Sequence, residues 1–181
     1  MNKEYLSAFE KTLGHEGGYN EVKGDAGGAT NFGVSLRFLK DAYNFDDTAD
    51  IDNDGDVDKD DIKSMSKADA QEIYYKHFWL KNKCDQITNQ IIASKFFDMS
   101  VNMGLVQATK LLQRSLNHFK LFNIAEDGKI GPKTLQAVNQ VHSDQLLHVM
   151  RKECEAFYIR LVEKKPEYKK FLKGWTNRAL S

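Results

Sequence analysis

The sequence predicts a mainly α fold with one small β-hairpin and one inserted aspartate-rich loop. Three observations carry this. Apolar residues recur at helical spacing along most of the 181 residues. Six of the twelve glycines crowd into residues 17–34, the one stretch that reads as strand and turn. Prolines number only two, so little interrupts the helices.

Tyr5, Leu6, Phe9 and Leu13 form one apolar stripe, and Gly17-Gly18 should end that first helix. The Gly-rich stretch then supplies the hairpin. Ser35 can cap a second helix bearing Leu36, Leu39 and Tyr43. After the aspartate-rich loop at 50–61, Ser66 and Asp69 have capping-box spacing ahead of Ala70, Ile73, Tyr74 and His77. Helices are expected over 89–103, stopped by Gly104, and over 106–117. A turn at Asp127-Gly128 leads to Pro132, suited to the first position of a helix. Residues 144–164 put Leu147, Met150, Cys154, Phe157, Tyr158 and Leu161 on one face, and a short basic terminus ends at Gly174-Trp175.

This length fits one domain or two small lobes packed together. A division into 1–95 and 96–181 is expected. Lys+Arg and Asp+Glu both count 26, so no global field directs the chain to nucleic acid or membrane. The charge is uneven. Residues 41–69 carry eleven acidic side chains against three basic, and residues 151–181 nine basic against four acidic. The basic end is either a handle for anionic wall polymers or a solvated helix face. No apolar run approaches the ~20 residues that span a bilayer, and Lys3-Glu4 leads into an amphipathic stretch unlike a signal peptide. Synthesis in the cytoplasm is therefore expected, with monomer the default. Cys84 and Cys154 read as buried free thiols, with a structural disulfide the alternative.

Chemistry concentrates at Glu16, in His15-Glu16-Gly17-Gly18-Tyr19. A carboxylate in the last turn of a helix faces the negative end of the macrodipole, which favours its protonated form, and partial burial acts in the same direction. A glycosidase needs such a group to protonate the leaving oxygen. Taken alone, a surface Glu before a glycine stop is the simpler reading. Downstream, Asp25 offers a second carboxylate across a hairpin, and Thr30 and Asn31 offer a hydroxyl and an amide suited to sugar hydroxyl and acetamido groups.

The segment His15–Ser35, with E-G-G-Y, D-x-G-G-x-T-N and F-G-V-S, resembles glycoside hydrolase family 108. These are lysozyme-like N-acetylmuramidases found as phage endolysins and putative secretion activator proteins. Phe97-Asp98-Met99-Ser100-Val101-Asn102-Met103-Gly104 is similar to the family's F-D-x-x-V-N-x-G helix, and Tyr74 with Phe78-Trp79 to its Y-x3-(Y/F)-W segment. The resemblance implies a lysozyme-like helical fold and β-1,4 cleavage between N-acetylmuramic acid and N-acetylglucosamine. It implies Glu16 as general acid and no cofactor for catalysis. Asp25 either activates water or organises the hairpin; Tyr19, Thr30, Asn31 and Trp79 are the expected substrate contacts. Asp98, on a mainly apolar helix, is read as a buried, hydrogen-bonded structural carboxylate. Action at the cell wall follows, in the periplasm or outside, with holin-assisted export as for endolysins that lack a signal peptide. Alternatives are a lytic transglycosylase, which needs no base-activated water, and a non-catalytic, calcium-dependent cell-wall-binding module.

Asp127-Gly128-Lys129-Ile130-Gly131-Pro132-Lys133-Thr134 resembles the D-G-x-x-G-x-x-T turn of peptidoglycan-binding modules. Gly174-Trp175-Thr176-Asn177-Arg178 resembles the closing G-W-x-x-R of the predicted peptidoglycan domain that follows the catalytic part in this family. Trp175 could stack on a sugar or simply pack. The aspartate loop departs from the family pattern. Asp50-x-Asp52-x-Asp54-Gly55-Asp56-Val57-Asp58-x-x-Asp61 follows the EF-hand pattern at positions 1, 3, 5, 6 and 9, with Val57 the usual apolar residue at position 8 and Asp61 in place of the final Glu. So many carboxylates repel one another without a cation, so a structural Ca2+ is expected on Asp50, Asp52, Asp54, Asp56 and Asp61. A hydrated acidic loop is the alternative.

Overall fold

A computed structural model describes residues 1–13, 18–21, 28–43 and 47–181. It shows two compact units, Met1–Lys81 and Asn82–Ser181. The contacts part the chain ahead of the 95/96 division expected from sequence, because the helix running through residue 95 is continuous and belongs to the second unit.

In the first unit, α1 (Lys3–Leu13) buries Tyr5, Phe9 and Leu13, the stripe that the sequence shows. It packs on α4 (Lys67–Tyr74), to which Tyr5 is fastened by its hydroxyl, donating to the Gln71 carbonyl at 2.5 Å. Ser66 and Asp69 form the expected capping box of α4. The hairpin is one strand richer than expected: β1 (Asn20–Glu21), β2 (Ala29–Asn31) and β3 (Val34–Ser35) form an antiparallel sheet in that order. Asn31 pairs with Val34 across a two-residue turn in which Phe32 (φ 47°) and Gly33 (φ 76°) are both left-handed, the backbone that matches the strand twist. Ser35 then accepts from the Phe38 amide at 3.2 Å to start α2 (Leu36–Tyr43). The aspartate loop leads into α3 (Lys59–Ser64). After α4 the chain widens into a π-helix, Tyr75–Leu80, a rare form often found at functional sites.

The second unit is built on α5 (Gln90–Met103), α6 (Leu105–Asn117) and the long α8 (Ser143–Lys164), which pack against one another. Phe96, Phe97, Leu111, Leu112, Leu116, Leu146 and Met150 fill its interior. Gly104, at φ 82°, separates α5 from α6 as expected, and α7 (Pro132–Gln140) starts with Pro132 at its first turn. The terminus expected to be short and basic instead forms a 3-10 turn, Pro166–Phe171, and α9 (Leu172–Leu180), which returns onto α8. Cys84 and Cys154 are free and buried. The fold is thus mainly α and lysozyme-like, with one small sheet.

Candidate functional site

Glu16 lies outside the described residues, between the end of α1 at Leu13 and the start of β1 at Asn20. Asp25 also lies outside them, between β1 and β2. What the structure describes is their frame. Upstream is a helix end held by the Tyr5 and Phe9 core, and downstream is the three-stranded sheet.

The expected sugar contacts separate into two groups. Tyr19 is 39% exposed, and its hydroxyl donates to Glu21 Oε2 at 2.8 Å. That bond raises the Tyr19 pKa. Thr30, half-buried on the neighbouring strand, reaches the Asn20 carbonyl at 3.4 Å. Both stand at or near the surface. Asn31 and Trp79 do not. Asn31 is only 6% exposed; its amide donates to the carbonyls of Ile62 at 2.9 Å and Met65 at 3.3 Å, so it ties β2 to the end of α3. Trp79 is 1% exposed, its ring meeting Tyr5 edge-on at 5.6 Å. In this conformation neither presents a face to a sugar; sequence reasoning missed this because an amide and an indole serve a core as readily as a cleft.

The aspartate loop has a defined internal architecture. The Gly55 amide donates to Asp50 Oδ2 at 3.1 Å, where Gly55 (φ 100°) makes the sharp bend. Val57 is buried. Asp58, absent from the expected ligand set, caps α3 and accepts from the Asp60 amide. Asp61, 1% exposed, accepts from the Ile51 amide at 2.7 Å through Oδ1 and from the Asp58 amide at 2.6 Å through Oδ2. The loop carboxylates therefore fall into two clusters: Asp50, Asp52 and Asp54, and then Asp56 and Asp61 with Asp58 between them in sequence. Desolvation and then Asp54 raise the Asp52 pKa, and Asp54 foremost raises that of Asp56. Such mutual repulsion is what a cation relieves. Asp50 Oδ1 is buried with no hydrogen-bond partner.

The loop is also braced to the sheet at both ends of α3. Lys59, its first residue, pairs with Glu21 of β1, and Asn31 of β2 holds its last turn. The Glu21 pKa is lowered by Lys59 and then by Tyr19, so Tyr19, Glu21 and Lys59 form one polar chain from β1 to α3.

In the second unit the two remaining motifs meet. Arg178 of the G-W-x-x-R element donates through Nε to Asp98 Oδ1 at 3.0 Å, and the Arg178 carbonyl accepts from Lys95 Nζ at 2.9 Å. Asn102 donates to the same Asp98 oxygen at 3.1 Å. Asp98 is mostly buried and fully engaged in tying α5 to α9, the structural role read from the sequence. Lys95 is 6% exposed, and burial lowers its pKa. The apolar neighbours of Lys95 gave the sequence little to mark it. Trp175 stacks on Tyr158 at 5.1 Å with Phe171 at 5.5 Å, so packing occupies it.

An amphipathic helix, a small sheet after it in the chain and then a second helical unit are the frame of a helical lysozyme-like hydrolase. Residues 9–104 match the glycosyl hydrolase 108 family, and residues 107–180 match the predicted peptidoglycan domain. The chain belongs to glycosyl hydrolase family 108. Among solved structures it is similar to Brucella abortus SagA, at 27% identity and a TM-score of 0.72, covering 97% of this chain and 88% of that one. No curated protein matches it. The chain is a glycoside hydrolase directed at peptidoglycan. Among the described residues, no helix is long and apolar enough to cross a membrane.

Proposed function

We propose that this protein is a muramidase. It hydrolyses the β-1,4 bond between N-acetylmuramic acid and N-acetylglucosamine, with Glu16 as the general acid. Glu16 protonates the glycosidic oxygen as the bond to the anomeric carbon breaks, and water supplies the new hydroxyl. Asp25 is the second carboxylate, placed by the proposal to assist that water, and Tyr19 and Thr30 contact the sugars. The observation that carries the reading is the E-G-G-Y segment between α1 and the sheet, inside the stretch that matches the hydrolase family. Purified peptidoglycan treated with wild type, Glu16→Gln and Asp25→Asn, its products read by mass spectrometry, tests it. Reducing-end fragments from wild type and none from Glu16→Gln are expected. Products ending in 1,6-anhydromuramic acid would instead make the enzyme a lytic transglycosylase. Sedimentation with walls and no release would make it a binding module.

The aspartate loop belongs to the same proposal as a structural Ca2+ site. The donor set fits a hard cation, which takes six to eight oxygens. The buried, unpartnered Asp50 Oδ1 is the atom that a cation would satisfy. Asp50, Asp52, Asp54 and Asp56 would supply side-chain oxygens. Asp61 would join them by exchanging a backbone bond for the ion. Through Lys59 and Asn31, the ion would stiffen the sheet that frames Glu16 and Asp25. The protein acts at the wall as a monomer, reached by holin-assisted export.

A further inference from the structure

The turn that precedes α7 is clamped on every side. Gln113, buried on α6, donates to Asp127 Oδ1 at 2.8 Å and to the Lys129 carbonyl at 3.0 Å, and accepts from the Gly128 amide at 2.9 Å. Asp127 Oδ1 also accepts from the Lys129 amide, and these bonds hold its pKa low. Gly128 has φ 77°, and a Cβ there would lie 2.8 Å from Val106 Cγ1 and 3.1 Å from the Val106 carbonyl, so only glycine fits.

The clamp fixes how α7 begins. Its N-cap is Gly131, which has no side chain to satisfy the first turn, and Pro132 has no N–H to offer. The Lys133 and Thr134 amides thus open α7 without a side-chain cap. Lys133 and Thr134 both line a groove of about 480 Å3 with an apolar wall of Ile124, Ala125 and Pro132. Thr134 lines the groove while only 3% exposed, and its hydroxyl has no hydrogen-bond partner among the described residues. Lys129 and Lys133 line it too, and neither forms an ion pair among the described residues. Asp127 is the one acidic group on the lining, and its Oδ1 is already committed to the turn. Two ammonium groups, an uncapped helix start and the unpartnered Thr134 hydroxyl together describe a carboxylate site beside an apolar wall.

We propose that this groove binds the peptide stem of peptidoglycan, not its sugars. A stem carboxylate would be held by Thr134, the α7 amides, Lys129 and Lys133, with an alanyl methyl against Ile124 and Pro132. Lys129 lies in the field of Asp127, but Lys133 has no such partner on the lining, and a neutral glycan offers it nothing. This rests on peptidoglycan being the substrate, and it adds which part of the polymer the second unit grips.

The test is calorimetric titration of the whole Glu16→Gln protein with a soluble stem tetrapeptide ending in D-Ala. The same peptide as its C-terminal amide and an N-acetylglucosamine oligomer are titrated in parallel. Binding of the free peptide is expected, weakened about tenfold or more in the Lys129→Ala/Lys133→Ala variant and again in Thr134→Val. Thr134→Ser, which keeps the hydroxyl in the same space, should restore affinity and serves as the folding control. Equal affinity for the oligomer, or peptide binding indifferent to both lysines and to Thr134, would overturn the proposal, as would no peptide binding. Because stem binding cleaves no glycan, absence of reducing ends in the muramidase assay is a separate failure.

Discussion

Asn31 gives the sharpest division between what its residue type suggests and what its position dictates. If it is the clamp between β2 and α3, then Asn31→Leu removes two hydrogen bonds and leaves the Ile62 and Met65 carbonyls without that donor. At about 1 kcal/mol net per bond, the loss is about 2 kcal/mol. For a chain of this length each kcal/mol moves the melting temperature by about 2–4 °C, so a fall of about 4–8 °C is expected. Asn31→Asp should be worse, because it places a buried carboxylate 2.9 Å from a carbonyl oxygen where an N–H now sits. An unpaired buried charge costs several kcal/mol. Tyr19→Ala, at the surface of the same sheet, should leave the melting temperature within 1–2 °C, since exposed substitutions usually stay within about 0.5 kcal/mol. Differential scanning calorimetry of the three variants decides. If Asn31→Leu melts with wild type while its KM for peptidoglycan rises, Asn31 is a substrate ligand and the clamp is refuted.

Further outcomes follow from the charged and buried groups. Millimolar Ca2+ at about a hundred times its Kd should stabilise the protein by about 2.7 kcal/mol, a rise of roughly 5–10 °C that Asp50→Asn removes; no shift by thermal melting at 10 mM would refute the ion site. Burial raises the thiol pKa of Cys84, and raises that of Cys154 to about 12. These neutral thiols give stability that is full below the unfolded thiol pKa and lost as pH rises above it. Urea unfolding from pH 8 to 11 should show a decline of up to about 1.4 kcal/mol per pH unit per thiol, flattened in Cys84→Ala/Cys154→Ala. Lys95, with its pKa lowered, works in the opposite direction, and stability from it grows as pH approaches its unfolded value. Asp98→Asn should cost about 2–3 kcal/mol in urea because Lys95 loses its counter-charge, whereas Lys95→Met, which removes the buried charge itself, should cost less; the reverse order would refute the bridge.

Local chemistry was legible wherever one short segment settles its own structure. The Ser66–Asp69 capping box, the Ser35 cap, the Gly104 stop and Pro132 at the head of α7 each rest on contacts within a few residues. Illegible features depend on partners far along the chain. Trp79 is buried because Tyr5 lies against it, and Asn31 because α3 returns to β2. The third strand depends on Phe32 accepting a left-handed backbone that its side chain disfavours. The tail reads as a short basic terminus from its lysines, yet Pro166 begins a 3-10 turn, and the Asp98 and Lys95 contacts draw the following helix inward. The groove before α7 was visible only as a turn. Its lysines and the uncapped helix start show themselves once the Gln113 clamp fixes their direction.

The bond between Lys95 and the Arg178 carbonyl also sets an order of assembly. The partners are 83 residues apart, so on a ribosome adding about 5–20 residues per second, Lys95 is made roughly 4–17 s before Arg178. During that interval a lysine destined for the interior has neither its acceptor carbonyl nor the arginine that shares Asp98. The first unit can close while synthesis continues, and α5 can pack on α6, but Lys95 waits for the last helix. Nascent chains stalled before residue 178 should therefore recruit chaperones at α5 and release them once the last helix has cleared the exit tunnel.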